Sequence, residues 1–219
     1  VELARKRAGS EAACALDRID LEVTRINDMI GRLITLVRLE NGPDAILKTE
    51  ISLAEVLRDI TQDADFEAHS SNRKVTLYDC VDSSIIGSPE LIRSAIENII
   101  RNALRYTKEN TAVEISLIRE TKSGEDVAVL RVRDHGCGIP EADLEKIFQP
   151  FYRVADSRDR QSGGVGLGLA ITERAVKLHG GTIEVANVPD GGLAVTIYLP
   201  VISSSKDPGE TKQNDSNEK

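Results

Sequence analysis

Three groups of residues in this chain have types and spacings suited to chemistry. The first is PELIRSAIENIIRNALRY, running from Pro89 to Tyr106. Asn98, Asn102 and Arg105 stand at i, i+4 and i+7, so a helix sets them along one edge. Asparagine oxygens are neutral ligands of the kind Mg²⁺ accepts beside water and phosphate, and a guanidinium suits phosphate. The second group is DHGCGIP (134–140). Ala128, Leu130 and Val132 share a strand face with Asp134, so the carboxylate ends an apolar surface and needs a partner. The exocyclic amine of a purine is one such partner, and Gly136 and Gly138 would let a flat ring approach. Capping a turn of the Asp-Gly type is the other role that fits Asp134, and this motif fits both equally. The third group is GGVGLGLAI (163–171), where Gly163, Gly164, Gly166 and Gly168 precede a helix. Open backbone N–H groups at a helix N-terminus bind phosphate. No Gly-Lys-Ser/Thr follows, which excludes a Walker loop, and a charged stretch rather than a strand comes before, which is a poor dinucleotide-fold match. Arg153, Arg158 and Arg160 lie in that stretch, within reach of a polyphosphate or simply solvated.

The elements that must position these groups follow from periodicity. Ile92, Ala95, Ile96, Ile99, Ala103 and Tyr106 form the apolar stripe of the 89–106 helix, started by Ser88 as cap and Pro89 in the first turn. Around it the pattern predicts strands at Leu47–Ile51, Val75–Tyr78 and Ile85–Ile86, and a helix from the Ser52–Glu55 capping box to about Ser70. A hairpin joins Ala112–Arg119 to Val127–Arg133 through the turn at 122–125. A short helix is expected over 141–147, a mobile loop over 148–162, and a helix over Leu167–His179 stopped by Gly180-Gly181. Strands Thr182–Ala186 and Ala194–Leu199 flank the turn at 189–192. Hairpin-joined strands with grouped helices give an α+β fold, with helices layered on one mixed sheet.

Upstream, residues 1–8 read as the end of one helix, Gly9 as a stop, and Ser10 as the start of another. Leu16, Ile19, Val23, Ile26, Ile30, Leu33 and Val37 are spaced by alternating steps of 3 and 4. That is a heptad seam, narrower than a globular stripe, and it predicts helix pairing. Burying these side chains would gain roughly 10–20 kcal/mol gross. Asn41-Gly42-Pro43 opens a linker over 41–47, the main domain spans 48–202, and the polar tail 203–219 is expected to be disordered.

The composition bounds the function. A formal charge of −8 opposes a general nucleic-acid surface, and 40% hydrophobic residues in 219 allow a real, mostly aliphatic core with 3% aromatics. The 3 cysteines, Cys14, Cys80 and Cys137, are scattered, with neither a disulfide framework nor zinc-ligand spacing. No apolar run approaches the roughly 20 residues of a membrane span.

Together, ENIIRNALRYT (97–107), DHGCGIP, IFQPFYR (147–153), GGVGLGLAI, HGG (179–181) and GGLAVTIYLP (191–200) resemble, in order and spacing, the N, G1, F and G2 boxes and closing segment of sensor histidine kinases. The resemblance covers about 48–202. The heptad helix ending VRLENG is similar to the second helix of the dimerisation and phosphotransfer region, and FEAHSSNRKV, FQPFYR and DSRDRQSGGVGLGLAI are most like the Cpx-type envelope-stress kinases. It implies a two-layer α/β sandwich of the Bergerat type behind a helical-hairpin remnant, binding ATP and Mg²⁺. Asn102, helped by Asn98, would hold the metal; Arg105 would reach the phosphates and Tyr106 would flank the adenine. Asp134 would accept from the adenine amine beside Gly136, Gly138 and Ile139. Gly164, Val165, Gly166, Leu167, Gly168 and Leu169 would shape the lid, with Arg153 near it. The implied partners are a response-regulator receiver domain and a second copy of the chain, with no nucleic acid. The implied location is the cytoplasmic face of a bacterial inner membrane, anchored through segments outside this sequence. The family's acceptor, a histidine followed by glutamate, has no counterpart: His69, His135 and His179 precede Ser70, Gly136 and Gly180. Self-phosphorylation at the usual place is therefore not expected, and no catalytic residue is assigned. An ATPase clamp of the gyrase or Hsp90 kind is the alternative; it places an acidic general base where Asn98 stands. A nucleotide-holding dimerisation module without turnover is another.

Overall fold

The structure, a computed structural model, describes residues 10–40, 47–122, 124–154 and 165–202. Its elements are α1 (Ser10–Glu40), β1 (Thr49–Ser52), α2 (Leu53–His69), β2 (Lys74–Cys80), β3 (Ser84–Gly87), α3 (Pro89–Tyr106), β4 (Ala112–Lys122), β5 (Glu125–Arg133), α4 (Gly168–Leu178), β6 (Thr182–Asn187) and β7 (Leu193–Pro200). Strands β2-β4-β5-β7-β6 form a 5-stranded sheet in that order, with β2 parallel to β4 and the other pairs antiparallel. Helices α2, α3 and α4 supply the second layer, and their apolar faces meet the sheet in one core of Leu57, Ile96, Ile99, Val113, Ile115, Leu130, Val176 and Ile197. The expected α+β sandwich is present.

Three details differ from the sequence-based expectation. β1 and β3 do not join the main sheet; they pair with each other as a separate 2-stranded ribbon. Each is only 4 residues long, and pairing partners over such lengths are set by where the flanking helices bring the chain. The stretch 141–147 is not one helix but two 3₁₀ turns, Glu141–Asp143 and Lys146–Phe148. Tyr106 is not part of the buried stripe: it is 44% exposed at the end of α3, while Ile100, which the stripe omitted, is buried.

Capping explains where the helices start. Ser52 accepts from Glu55 N–H, and Ser88 accepts from Leu91 N–H with Pro89 in the first turn. Helix α1 contacts the domain through Leu36 and Leu39, which pack with Leu167, Ala170 and Ile171 of the α4 region. The heptad seam faces elsewhere, and Ile19, Val23, Ile26, Ile30, Leu33 and Val37 are exposed. The readings of residues 1–8, most of the 41–47 linker, most of the charged loop and the 203–219 tail lie outside the described residues.

Candidate functional site

The polar edge of α3 is the floor of the site. Its neighbouring stripe, Ile92, Ile96, Ile99, Ile100 and Ala103, is buried in the core with the sheet and α2, and Ala95 is buried at the crossing with α4, which fixes the helix's rotation. Asn98 and Asn102 are therefore half-buried on the free side, while Arg105 and Tyr106 are exposed at the C-terminal end. A Cβ built on Gly168 would stand 3.4 Å from Asn98 Oδ1, so the first turn of α4 lies against the middle of α3. Thr172 locks this crossing by donating its hydroxyl to the Ala95 and Gly168 carbonyls. Leu167, at the start of α4, offers no capping side chain, so among the described residues no side-chain cap meets the leading N–H groups of this helix.

The end of α3 meets the loop after β5. A side chain on Gly136 would place its Cβ 2.6 Å from the Tyr106 carbonyl oxygen. Thr107, next in the chain, accepts from His135 N–H through its hydroxyl at 3.1 Å. Gly136 thus serves a close approach of protein to protein, and the same holds for Gly138: at φ +73° it faces Asn187 and Gly192. Asn187 clamps this loop, accepting from Ile139 N–H at 2.9 Å and donating to the Ile139 carbonyl at 2.7 Å.

Asp134 is 6% exposed beyond the apolar face of Ala128, Leu130 and Val132. Its Oδ1 accepts from Gly136 N–H at 2.8 Å and from Leu193 N–H at 3.2 Å. Neither bond uses Oδ2. Burial pushes the carboxyl above the usual aspartate range, and the two backbone bonds oppose that shift. Such a group gains from a further donor to its charged form. His135 turns to the other face of the strand, where its Nε2 lies 3.0 Å from Glu114.

The F-box and G2 segments meet through the backbone. Phe151, at φ +66°, donates its N–H to the Gly166 carbonyl at 2.9 Å, and Gly166, at φ +78°, leaves no room for a side chain against Phe151 and Tyr152. Tyr152 donates its hydroxyl to Asp143 at 2.7 Å, with Lys146 on the same carboxylate at 3.1 Å, which ties this strap to the loop after β5. Leu167 is fully buried, Val165 and Leu169 are half-buried, and Arg153 is exposed. Gly164, Arg158 and Arg160 lie outside the described residues. The structure thus gathers the expected residues along α3: Gly168 at Asn98, Gly136 at Tyr106, and Asp134 next to Gly136. A separate hollow over Gln62, Phe66 and His69 of α2 contains none of them.

The sequence reading missed Asn187, Gly192 and Thr107. Gly192 lies in the turn at 189–192 and Thr107 in ENIIRNALRYT, but their contacts, like those of Asn187, are with neighbours far along the chain that no local pattern names. Among the described residues no group of three or more His, Cys, Asp or Glu side chains is placed to hold a cation, and the amide oxygens of Asn98 and Asn102 are donors that suit Mg²⁺ beside water and phosphate.

Residues 87–203 match the family model described as histidine kinase-, DNA gyrase B-, and HSP90-like ATPase. The chain belongs to this family. Within it, the likeness is to sensor histidine kinases. Sensor histidine kinase CpxA of Escherichia coli (strain K12) is 35% identical over 204 residues, covering 93% of this chain and 43% of that protein. Sensor-like histidine kinase SenX3 of Mycobacterium tuberculosis (strain ATCC 25618 / H37Rv) is 29% identical over 186 residues, covering 85% of this chain and 44% of that protein. The chain spans less than half the length of these curated relatives. Among solved structures, the nucleotide-free catalytic domain of histidine kinase ThkA matches with a TM-score of 0.60 at 26% identity, over 71% of this chain and 96% of that one. Full-length ShkA in complex with AMPPNP matches in fold with a TM-score of 0.72 at 18% identity, over 90% of this chain and 40% of that one. The chain therefore carries the catalytic ATPase domain of the sensor histidine kinases, preceded by helix α1. No described helix is long and apolar enough to cross a membrane.

Proposed function

We propose that this domain binds Mg-ATP along the polar edge of α3 and serves as the kinase half of a two-component sensor. The γ-phosphate would pass to a histidine outside this sequence and then to an aspartate on a response-regulator receiver domain. The observation that carries the nucleotide reading is the buried Asp134, held by two backbone N–H groups through one oxygen, with the other unused by them. An adenine amine supplies the missing donor. Tyr106 lies against the same loop, ready to flank the ring, and Gly136, Gly138 and Ile139 shape its bed through Asn187. One and two turns back along α3 from Tyr106, Asn102 and Asn98 would hold Mg²⁺, and Arg105 would reach the phosphates. Val165, Gly166, Leu167, Gly168 and Leu169, continuing from Gly164, would close over the tail with Arg153 alongside. When bound, the metal neutralises charge on the phosphate oxygens. The protein's own contribution is to position the triphosphate and exclude water. The family's homodimer would form through the exposed seam of α1, and membrane anchorage through other segments.

Calorimetric titration tests this. Mg-ATP should bind and Mg-GTP should bind at least about tenfold more weakly, because guanine offers Asp134 a carbonyl in place of the amine. Asn102→Ala should remove Mg-dependent binding without unfolding the chain. Asp134→Asn should cost about 1–3 kcal/mol of affinity. Ionised Asp134 is the form that binds, so affinity should fall on acidification at a higher pH than an ordinary aspartate would dictate, and the variant should not show that fall. Equal affinity for ATP and GTP would refute the assignment. For the transfer step, an acceptor helix carrying its histidine, supplied separately, should become labelled.

A further inference from the structure

Between β5 and α4 the described residues form no strand and no helix longer than a 3₁₀ turn. Yet this stretch spans the two ends of the candidate site. At one end lies the loop of Gly136, Gly138 and Ile139. Asn187 holds Ile139 there and also donates to Glu141 Oε1 at 3.1 Å, which fixes the first 3₁₀ turn, Glu141–Asp143. At the other end, Phe151 N–H donates to the Gly166 carbonyl, and a Cβ on Gly166 would stand 2.8 Å from the Tyr152 carbonyl oxygen. Gly166 leads straight into the buried Leu167 and into Gly168 beside Asn98.

Asp143 joins the two. Its Oδ1 accepts from the Tyr152 hydroxyl at 2.7 Å and from Lys146 Nζ at 3.1 Å. Its side chain is 20% exposed, against 46% for Lys146. Backbone bonds seat both partners: Asp143 N–H donates to the Pro140 carbonyl at 2.8 Å, and Tyr152 N–H to the Gln149 carbonyl at 3.2 Å. A hydroxyl on an ionised carboxylate makes the stronger, charge-assisted kind of hydrogen bond. That bond holds the Asp143 carboxyl below the usual aspartate range and the Tyr152 hydroxyl above the usual tyrosine range, so both partners report it alike. The contacts therefore run in series from Ile139 through Asp143 and Tyr152 to Gly166 and Gly168.

We infer that Asp143 is a positioning residue for nucleotide binding, which acts through Tyr152 to set the spacing between the purine bed and the backbone that meets the phosphates. This rests on the reading of the α3 edge as a nucleotide site. A ligand that uses both ends depends on that spacing. A ligand that uses the purine bed alone does not.

The test is titration of Mg-ATP and of adenosine into the full chain and into Tyr152→Phe, Asp143→Ala, Asp143→Asn, the Tyr152→Phe/Asp143→Ala double variant and Asn102→Ala. Tyr152→Phe removes only the hydroxyl and keeps the ring. It should weaken Mg-ATP by about fivefold or more and adenosine by less than about twofold. Asp143→Ala should do the same. Asp143→Asn, whose amide oxygen still accepts from the hydroxyl, should recover part of the Mg-ATP affinity. The double variant should bind Mg-ATP no more weakly than the weaker single variant, because both remove one bond. Mg-ATP affinity of Tyr152→Phe within about twofold of the parent, while Asn102→Ala loses binding, overturns the role of Asp143 and leaves the nucleotide site standing. Equal losses for Mg-ATP and adenosine also overturn it, since they mark a disturbed fold. So do losses that add in the double variant, since the two residues then act by separate routes. A parent chain that binds no Mg-ATP overturns both readings.

Discussion

Helices α1 and α3 carry equally regular apolar patterns and meet opposite fates. Ile99, in the stripe of α3, is 2% exposed, whereas Val23, in the seam of α1, is 49% exposed. Both patterns show that a helix forms and which face is apolar. Neither says what covers that face. The α3 stripe is covered because β4, β5 and α2 close over it from distant parts of the sequence. The α1 seam runs along a helix whose buried contacts with the domain core, among the described residues, are Leu36 and Leu39 near its end, both off the seam. The narrow heptad spacing is the sequence feature that separates the two, since it fits one partner helix and not a broad sheet surface.

This contrast can be broken by measurement. Ile99→Ala should have the largest effect, destabilising the domain by about 2–5 kcal/mol in urea unfolding. A loss no greater than that of Val23→Ala would mean the two faces are not differently buried. A smaller effect concerns the anchoring of α3. Ser88 N–H at its start donates to His179 Nε2 at 2.9 Å, while His179 Nδ1 donates to the Ala175 carbonyl at 2.6 Å. The ring must be neutral to accept, and burial lowers its pKa. The folded state therefore binds fewer protons than the unfolded chain. The stability from His179 is fully present above the unfolded pKa of about 6.5 and declines as pH drops below it. His179→Gln should flatten that part of the pH–stability curve, and an unchanged curve would remove His179 as the anchor. The smallest effect on stability belongs to Val23→Asp, within about 0.5 kcal/mol in the isolated chain. Its consequence should appear as a lower mass in sedimentation if the seam pairs. An identical mass distribution for parent and variant would leave the seam without its expected partner.

How far the sequence was legible follows the same division. The polar edge Asn98, Asn102 and Arg105 was legible because a helix places those residues by local geometry alone. Asp134 was legible as a carboxylate in need of a partner, because strand alternation put it beside Ala128, Leu130 and Val132. Asn187 was not legible: its clamp on Ile139 crosses 48 residues of sequence, and an asparagine at a strand end looks like any turn residue.

The order of elements, the capped starts of α2 and α3, the apolar stripes and the motifs on their loops were determined by the sequence itself, through periodicity and backbone preference acting over a few residues. Only the tertiary structure decided that β1 and β3 leave the main sheet, that Tyr106 comes out of the core, and that Leu36 and Leu39 dock α1. Each of these depends on which distant surface arrives opposite, and a local pattern carries no record of that.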